Sequence, residues 1–453
     1  MTSTTRLTRQ ALAMSILAAC FASADAHAQE AVAISLGGAA RLAAERNASP
    51  QIARLRVDQA EARVRQSRAE FLPTVTAAAL DNERTFNSAS FGINFANPAT
   101  GKFTFDPNGE LLGPVKTWDF RGTLKQNIFD PGSFARLRAA RAGVTASTVE
   151  VLSAAQQVAA DAALKYVLAL RADAQYLART ADSTLAAELL GIARDQLAAG
   201  VGIALDVTRA QSQLSMVHSQ IIAAFSDREH ARTNLVRAIG LPVNTRVTLT
   251  DSLATMPATM ILPSEAEAVQ RASHTRADLK ALDEQAAVAQ LALGAIRADA
   301  LPALALFADE GATGSSTQHL LNTYAWGIQL SVPVFDGLRR SGRAAEQHSA
   351  VNEIAVRRKD LLEQATADVR AALGDLMSAR EQLAASQERV GFAEQEVAQA
   401  RDRFRAGVSG NADVITALMT LNAARTQLID AHTALQFSRV SLARAQGIVT
   451  DLP

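Results

Sequence analysis

Residues 362–404 read LEQATADVRAALGDLMSAREQLAASQERVGFAEQEVAQARDRF, and a large apolar residue recurs there at every seventh position. The large residues are Leu362, Val369, Leu376, Leu383, Val390, Val397 and Phe404, and the small residues three places after them are Ala365, Ala372, Ala379, Ser386, Ala393, Ala400 and Gly407. A sustained seven-residue repeat is typical of a helix that packs along a supercoiled seam. The stretch therefore predicts one very long helix whose small residues let neighbouring helices approach closely.

The heptad pattern stops at Gly407 and resumes after Asn411, with turn-forming residues between them. The second run has its large residues at Val414, Leu421, Leu428, Leu435 and Leu442 and its small residues at Ala417, Ala424, Ala431, Ser438 and Ala445. Two such runs in succession predict a helical hairpin with its tip near 407–413. A helix over 338–404 would extend for about 100 Å at ~1.5 Å per residue, so the hairpin needs neighbouring hairpins along its length.

The hairpin occurs a second time, 207 residues earlier (401 − 194 = 207). The sequence RDQLAAGV at 194–201 corresponds to RDRFRAGV at 401–408, and Asp206 corresponds to Asp413. Internal duplication of this kind sets the architecture of a chain, and we expect two tandem copies of one unit. The expected divisions are a signal peptide at 1–28, a first repeat at 29–261 with its tip near 200–206, a second repeat at 262–447 with its tip near 407–413, and a short tail at 448–453.

The N-terminus has the pattern of a secretory signal peptide. Arg6 and Arg9 precede an apolar stretch at 11–22, and Ala26-His27-Ala28 is a small-x-small cleavage site. The apolar stretch is too short to span a bilayer, and no other run of 18 apolar residues occurs. We therefore expect an exported protein without a transmembrane helix.

The chain has one cysteine, Cys20, and its context allows two interpretations. In the first, Cys20 is a small apolar residue of the discarded signal peptide. In the second, Leu17-Ala18-Ala19-Cys20 is a bacterial lipobox and Cys20 becomes a lipidated N-terminus, which would add membrane affinity. No disulfide is expected within a chain that has a single cysteine.

In each copy a helix is expected to end at a Leu-Pro pair and to be followed by strands. We expect helices over 31–71, interrupted near Pro50, and over 264–300. Strands are predicted near 74–84, 117–129, 303–310 and 323–334, with loops at 85–116 and around Gly311 and Gly314.

Two of the strands alternate strictly between apolar and polar residues. Trp118 and Phe120 alternate with Asp119 and Arg121, and Tyr324, Trp326, Ile328 and Leu330 form the apolar side of the last strand. Alternation of this kind, with aromatic residues near strand ends, is the pattern of an outer-membrane barrel. The alternative is a small sheet packed on a helical core. Four strands cannot close a barrel and open edges are not tolerated in lipid, so a membrane sheet would need three chains and twelve strands.

Composition gives little support to an enzyme or to a nucleic-acid partner. Lys plus Arg and Asp plus Glu both number 45, so the formal net charge is zero. The histidines lack metal-ligand spacing, and the Gly-rich segment at 311–316 lacks the lysine of a phosphate-binding loop. We therefore expect no catalysis, no cofactor and no bound metal.

Taken together, the sequence resembles the TolC-type outer-membrane efflux protein family over essentially the whole mature chain. The resemblance is carried by the duplicated tip motifs, by Leu72-Pro73 and Leu301-Pro302, and by Pro333-Val334-Phe335-Asp336-Gly337-Leu338-Arg339-Arg340. It implies a mainly α fold with membrane β-strands: a homotrimer whose twelve-stranded barrel in the outer membrane of a Gram-negative bacterium, four strands per chain, continues into a long periplasmic α-helical barrel.

The resemblance also implies a function and partners. The chain would be a passive export duct of a tripartite efflux pump or type I secretion system. An inner-membrane transporter of the RND, ABC or MFS type would drive it through a periplasmic adaptor protein, and its barrel would be surrounded by outer-membrane lipid. A competing hypothesis is a periplasmic coiled-coil adaptor, but that class would place a lipoyl-like β domain between the hairpin halves, where this chain has alternating strands.

Several site residues follow from the resemblance. Asp413 falls on the constriction aspartate of the periplasmic gate, where three carboxylates would meet. Its alternative role, from the sequence, is a helix N-cap. Residues expected at the tip, in contact with the adaptor, are Gly200, Val201, Asp206, Phe404, Gly407, Val408 and Ser409. The aromatic girdle in the membrane would consist of Trp118, Tyr324 and Trp326. Phe404 replaces a tyrosine, Ser409 stands where an arginine can occur and Thr416 where a second aspartate can, so the gate is reduced to one ring of charge.

Overall fold

The structure is a computed structural model that describes residues 32–91, 111–256 and 262–453. The helices are α1 (Leu36–Arg46), α2 (Ala48–Ala69), α3 (Pro131–Ala198), α4 (Ala204–Ile239), α5 (Glu265–Thr275), α6 (Ala277–Ala298), α7 (Arg339–Arg405) and α8 (Asn411–Ala445). The strands are β1 (Val32–Ile34), β2 (Thr74–Asn87), β3 (Leu111–Phe129), β4 (Val247–Leu249), β5 (Ala303–Gly314) and β6 (Leu321–Ser331). The predicted signal peptide at 1–28, and Cys20 with it, lies outside the described residues.

The chain divides into two compact units, and three helices, α2, α3 and α7, run from one into the other. The first unit comprises residues up to Gln51, Leu152–Arg276 and Glu363–Pro453, and it is mainly helical. The second comprises Ile52–Val151 and Ala277–Leu362 and contains the four long strands.

The heptad seam is confirmed in the helical unit. Every buried residue of α7 belongs to the predicted seam: Ala365, Val369, Ala372, Leu376, Ala379, Leu383, Ser386, Ala393, Val397 and Phe404. In α8 nine of the ten predicted seam residues are buried, and Leu428 packs partly buried against the same core. The spacing of apolar residues therefore decides which stripe of each helix is covered.

A second core in the helical unit surrounds Tyr166, whose side chain is fully buried. Its hydroxyl lies 2.9 Å from the carbonyl oxygen of Ile34 and 2.8 Å from Oδ2 of Asp251. The same Asp251 oxygen accepts the backbone N–H of Leu36 at 2.8 Å. These bonds hold the start of α1 and the short parallel pair of β1 and β4 against α3.

The two shorter helical segments are each broken. The break in 31–71 lies near Pro50, as predicted, whereas the break in 264–300, at Arg276, corrects the prediction of one continuous helix. The first breaks at Asn47, whose amide donates to the Ala238 carbonyl at 2.8 Å. Pro50 is not the cause of the break, because it lies in the first turn of α2, where a missing N–H costs nothing.

Each break faces a glycine from a distant part of the chain. Gly240 (φ +82°) lies so close to Arg46 that a Cβ on it would be 2.6 Å from that carbonyl oxygen. Gly447 (φ +70°), 207 residues later, faces the break at Arg276 in the same way, and its Cβ would be 2.9 Å from the Arg276 Cα. Only glycine fits these positions, since the left-handed backbone and the close approach both exclude a side chain.

The four long strands form one antiparallel sheet in the order β2-β3-β5-β6. The register pairs Thr74 with Lys125 and Trp118 with Gly314. The strands are longer than predicted in part: β2 extends to Asn87 and β3 begins at Leu111, inside the expected loop. Gly311 and Gly314 lie within β5 and not in a loop. Within the described chain, the outer edges of β2 and β6 have no strand partner.

Candidate functional site

The two hairpin tips have the same backbone geometry. After α3, Gly200 takes the left-handed conformation (φ +74°) and the N–H of Val201 donates to the Gln196 carbonyl at 3.0 Å. After α7, Gly407 (φ +71°) is followed by the corresponding bond from Val408 to the Arg403 carbonyl, also at 3.0 Å. A left-handed glycine with this bond is the usual way to end a helix, so the shared Ala-Gly-Val sequence dictates both turns.

The tips are joined to each other by two side-chain hydrogen bonds. The Gln196 amide donates to the Phe404 carbonyl at 2.9 Å. The Asn411 amide, which is fully buried, donates to the Asp206 carbonyl at 2.7 Å. Neither Gln196 nor Asn411 was singled out from the sequence. Asn411 could have been noticed, because it replaces the alanine (Ala204) that the 207-residue offset predicts.

The two tip aspartates have different surroundings. Asp206 and Asp413 both lie in the first turn of a helix, whose N-cap positions are Ile203 and Gly410, and neither N-cap makes a side-chain bond. The N-cap interpretation of Asp413 is therefore wrong, although a negative charge in the first turn still favours the helix.

Asp206 is buried and lies 3.9 Å from Arg209. The side chain of Asp413 is exposed, and no residue that the structure describes forms an ion pair or a hydrogen bond with its carboxylate. Of the two, Asp413 alone presents a free charge at the tip.

Apolar side chains are exposed on both tips. Val201 is 80% exposed and Val408 is 71% exposed, and Ile203 and Leu205 are exposed beside Val201. Phe404 is different, because only 2% of it is exposed and it packs in the core between the hairpins. Ser409 is half-buried and its hydroxyl has no partner in the described chain. A partner protein could therefore contact the apolar side chains of the turns, whereas the buried Phe404 ring is not accessible to it.

A buried charge lies behind the tips. Asp182 of α3 is 4% exposed and forms ion pairs with Arg179 at 3.1 Å and with Arg425 of α8 at 3.3 Å. Burial raises the pKa of the Asp182 carboxyl, and the two arginines oppose this shift. Sequence reasoning missed this group. Its signal was position, since Asp182 lies seven residues before the buried Leu189 and thus on the covered stripe of α3.

The sheet has one mainly apolar and one polar face, as its alternation predicts. Residues directly opposite each other share a face, and four charged residues, Asp81, Glu83, Lys116 and Glu310, lie on the mainly apolar face. The register places the following apolar residues on it: Val75, Ala77, Ala79, Trp118, Phe120, Leu124, Leu304, Leu306, Ala308, Tyr324, Trp326, Ile328 and Leu330. Tyr324 and Trp326 are 76% and 74% exposed in the chain. Trp326 occupies the middle of β6 and not its loop end.

The polar face carries a charged group across three strands. Arg121 of β3 forms ion pairs with Asp309 of β5 and, at 3.4 Å, with Asp119. It also donates to the Thr323 hydroxyl of β6 at 3.1 Å. The face opposite the aromatic residues thus carries an ion-paired, hydrophilic group that spans three strands.

Two features are absent from the described residues, namely a membrane-spanning helix and a group of metal-ligating side chains. None of the helices there is both long and apolar enough to cross a membrane. No group of three or more His, Cys, Asp or Glu side chains in the described part of the chain could hold a metal ion.

Comparison with known proteins gives a consistent picture. The family model described as "Outer membrane efflux protein" matches residues 39–241 and 268–448. The alkaline protease secretion protein AprF of Pseudomonas aeruginosa is 25% identical over 313 residues, which cover 68% of this chain and 64% of that protein. The matched region is therefore less than two thirds of the length of this relative.

The fold has close structural counterparts. A membrane protein from Pseudomonas aeruginosa superposes with a TM-score of 0.72 at 19% identity, covering 91% of this chain and 90% of that one. The Campylobacter jejuni CmeC outer membrane channel gives a TM-score of 0.72 at 17% identity, with 91% and 85% covered. At these identities the likeness establishes the fold.

Proposed function

The chain belongs to the outer membrane efflux protein family, and from this premise we propose that it is the passive exit duct of an export machine. It is an outer-membrane protein that extends into the periplasm, and it is a channel protein and not an enzyme. The proposal concerns how it assembles, how it closes and what recruits it. The adaptor hypothesis raised by the coiled-coil pattern is set aside by the family.

The observation that carries the proposal is the sheet. A four-stranded sheet with an aromatic face, a charged face and two unpaired edges is not a stable object in lipid, because every exposed backbone group there must be hydrogen-bonded. Three chains that join β6 of one to β2 of the next would make a closed barrel of twelve strands. The apolar face would then contact lipid, with Trp118, Tyr324 and Trp326 among its aromatic residues, and the polar face would line the duct.

The two tandem copies, at 29–261 and 262–447, would supply the helical part of the duct. Each copy contributes a long helix, α3 or α7, that begins a few residues beyond its last strand. The heptad seams would then pack hairpin against hairpin around the axis of the trimer.

Asp413 would form the periplasmic gate. Its carboxylate is exposed and free of partners in the described chain, and a threefold axis would bring three such carboxylates together. A ring of carboxylates favours cations and repels anions. The buried Asp206 would not take part in this ring.

The tips would recruit a periplasmic adaptor. Exposed apolar patches mark contact sites, whereas single exposed residues do not. Val201, Ile203 and Leu205 are exposed together at the first turn, and Val408 is exposed at the second. Gly200 and Gly407 would fix the turns, and the Ser409 hydroxyl, which has no partner among the described residues, would be available to the adaptor. The adaptor would in turn connect the duct to an inner-membrane transporter.

Proteins are the favoured class of exported substrate. The curated relative is named for secretion of an alkaline protease, which supports a type I secretion role. Efflux of small molecules is the second candidate, since it is the activity in the family's name. Export measured with the chain deleted and restored, for secreted proteins and for small toxic compounds, would separate the two.

The first test is the protein mass of the detergent-extracted particle, measured by light scattering with the detergent subtracted. We expect three chains, present only after detergent extraction, and discrete conductance steps when the particle is added to a planar bilayer. A water-soluble monomer or dimer would refute the shared barrel and the duct together.

A further inference from the structure

The junction between sheet and helices contains a chain of carboxylates and arginines. Arg136, which follows β3, places Nη2 3.0 Å from Oε2 of Glu70 and Nη1 2.7 Å from Oδ1 of Asp299. Glu70 precedes β2 and Asp299 precedes β5, and these are the strands on either side of β3. Arg136 therefore ties together the two neighbours of its own strand.

The junction after β6 repeats this arrangement on one side only. Arg343 stands 207 residues after Arg136 (343 − 136 = 207), and Asp299 lies two residues before Leu301-Pro302 as Glu70 lies two before Leu72-Pro73. Arg343 contacts Asp299 Oδ2 at 3.4 Å. On its other side no described residue provides a second carboxylate, and its side chain is 51% exposed.

The carboxylate at the opposite edge of the sheet, Glu70, is also only partly paired. Asp299 uses both oxygens, with Oδ1 bound to Arg136 and Oδ2 bound to Arg343. Glu70 accepts all of its side-chain bonds at Oε2, from Ser133 at 2.6 Å and from Arg136 at 3.0 and 3.2 Å. No donor among the described residues reaches Oε1.

The two incomplete groups belong to the two unpaired edges of the sheet. Arg343 follows the edge strand β6, and Glu70 precedes the edge strand β2. In the segment between β6 and α7, Val334 and Phe335 are 89% and 80% exposed. In the first junction Phe129, which precedes Asp130 as Phe335 precedes Asp336, is 54% exposed and lies 6.2 Å from the Phe134 ring.

We propose that Arg343 of one chain binds Oε1 of Glu70 in the next chain, which closes a ring of carboxylates and arginines at the foot of the barrel. In a trimer the ring has six carboxylates and six arginines in strict alternation, and each carboxylate has one arginine on each side. This inference rests on the trimer of the proposed function and adds the residues that set its register. Arginine–carboxylate pairs fix orientation as well as adding energy. The ring would therefore align the β6 edge of one chain with the β2 edge of the next.

The test is chemical cross-linking of the double variant Glu70→Cys with Arg343→Cys. Residues at the two ends of an arginine–carboxylate pair are too far apart for a direct disulfide, so we would use a bis-methanethiosulfonate with a three-carbon spacer. We expect covalent dimers and trimers on a denaturing gel. The matched control is Asp299→Cys with Arg343→Cys, the same kind of pair within one chain, which should remain monomeric. The parent chain, whose one cysteine is Cys20, gives the background.

The particle mass of the same double variant distinguishes failure of the charged ring from failure of the trimeric duct. A particle of three chains whose cross-links stay within single chains would overturn the ring and leave the duct intact. A particle that is not a trimer would overturn both.

A second measurement uses charge without cysteine chemistry. Arg343→Gln and Glu70→Gln should each lower the temperature at which the trimer dissociates, by roughly 2–4 °C, and the double variant should lose less than the sum. Arg339→Gln is the control, since Arg339 is an exposed neighbour on the same helix and should give no shift. Strictly additive losses would show that the two side chains do not meet.

Discussion

The tips at 198–206 and 405–413 share a turn and differ in what surrounds it. In the first tip the aspartate, Asp206, is buried beside Arg209, whereas in the second Asp413 is exposed without a partner in the described chain. The same contrast recurs away from the tips. Tyr166 of the first half is buried and hydrogen-bonded, and the residue 207 positions later, Leu373, has no polar group to satisfy.

This difference indicates a division of labour between two halves with the same backbone plan. In the first half, Asp206 is buried beside Arg209 and Arg136 pairs with three carboxylates. Of their counterparts in the second half, Asp413 has no partner among the described residues and Arg343 has one, Asp299. Open groups in one chain of an oligomer are where other chains, the aqueous duct or other proteins make contact, so variants of the two halves should fail in different ways.

The largest expected effect is the loss of the Tyr166 hydroxyl. Tyr166→Phe would remove one of the donors to the Ile34 carbonyl and to Asp251 Oδ2. It would also remove the acceptor of the Asp251 N–H, which donates to the Tyr166 hydroxyl at 3.3 Å. We therefore expect a loss of about 1–3 kcal/mol in the free energy of unfolding. Denaturant unfolding in detergent would measure it. The control is Tyr176→Phe, whose ring lies under Arg228 and whose hydroxyl binds no described residue. If both variants lose the same amount, the buried bonds add nothing.

The same phenol should make the first half sensitive to alkali. Burial raises the pKa of Tyr166 above its ordinary value near 10. A group with a raised folded pKa stabilises fully below its unfolded pKa, and this contribution falls as the pH rises from there through the folded pKa. The stability gap between the wild type and Tyr166→Phe should therefore shrink by about 1.4 kcal/mol between pH 7 and pH 11. A gap of constant size would contradict the assignment.

The bond between the tips should matter less. Asn411→Ala removes the 2.7 Å bond to the Asp206 carbonyl and should cost about 1 kcal/mol, felt locally as faster amide hydrogen exchange in the turn at 199–203. Asn352→Ala, an exposed asparagine of α7, is the control and should leave exchange in that turn unchanged. Equal exchange in the Asn411 variant and the wild type would mean that the tips are held together by apolar packing alone.

The sequence predicts what depends on spacing along one helix or strand. The seam of α7 and the two faces of the sheet follow from periods of seven and two, because neighbours at those spacings lie on one surface. The breaks at Asn47 and Arg276 face glycines that are 193 (240 − 47) and 171 (447 − 276) residues away in the sequence, so no local pattern reveals these contacts. The buried Asp182 is of the same kind, since its stabilising Arg425 comes from another helix.

The candidate site divides along the same line. The turns at Gly200 and Gly407 can be predicted from the local sequence, because a left-handed position at a helix end favours glycine. Whether an aspartate beside such a turn is buried or exposed depends on which hairpin packs over it. This is why Asp206 and Asp413 have one motif and two environments, and why the burial of Phe404 could not be foreseen.

The smallest expected change in stability, and the sharpest test of the comparison, comes from the two aspartates. Asp206→Ala should cost about 0.5 kcal/mol, through the loss of a first-turn charge and of its partner Arg209, and should leave ion conduction unchanged. Asp413→Ala should change the free energy of unfolding by no more than ~0.3 kcal/mol. It should nevertheless raise leakage through the closed duct and weaken block by divalent cations, because the proposed trimer would bring three of these carboxylates together. Single-channel recordings of both variants decide the matter. Conductance and block that are unchanged in Asp413→Ala would reduce its role to the first turn of α8, and altered block in Asp206→Ala would show that the buried aspartate becomes exposed when the duct opens.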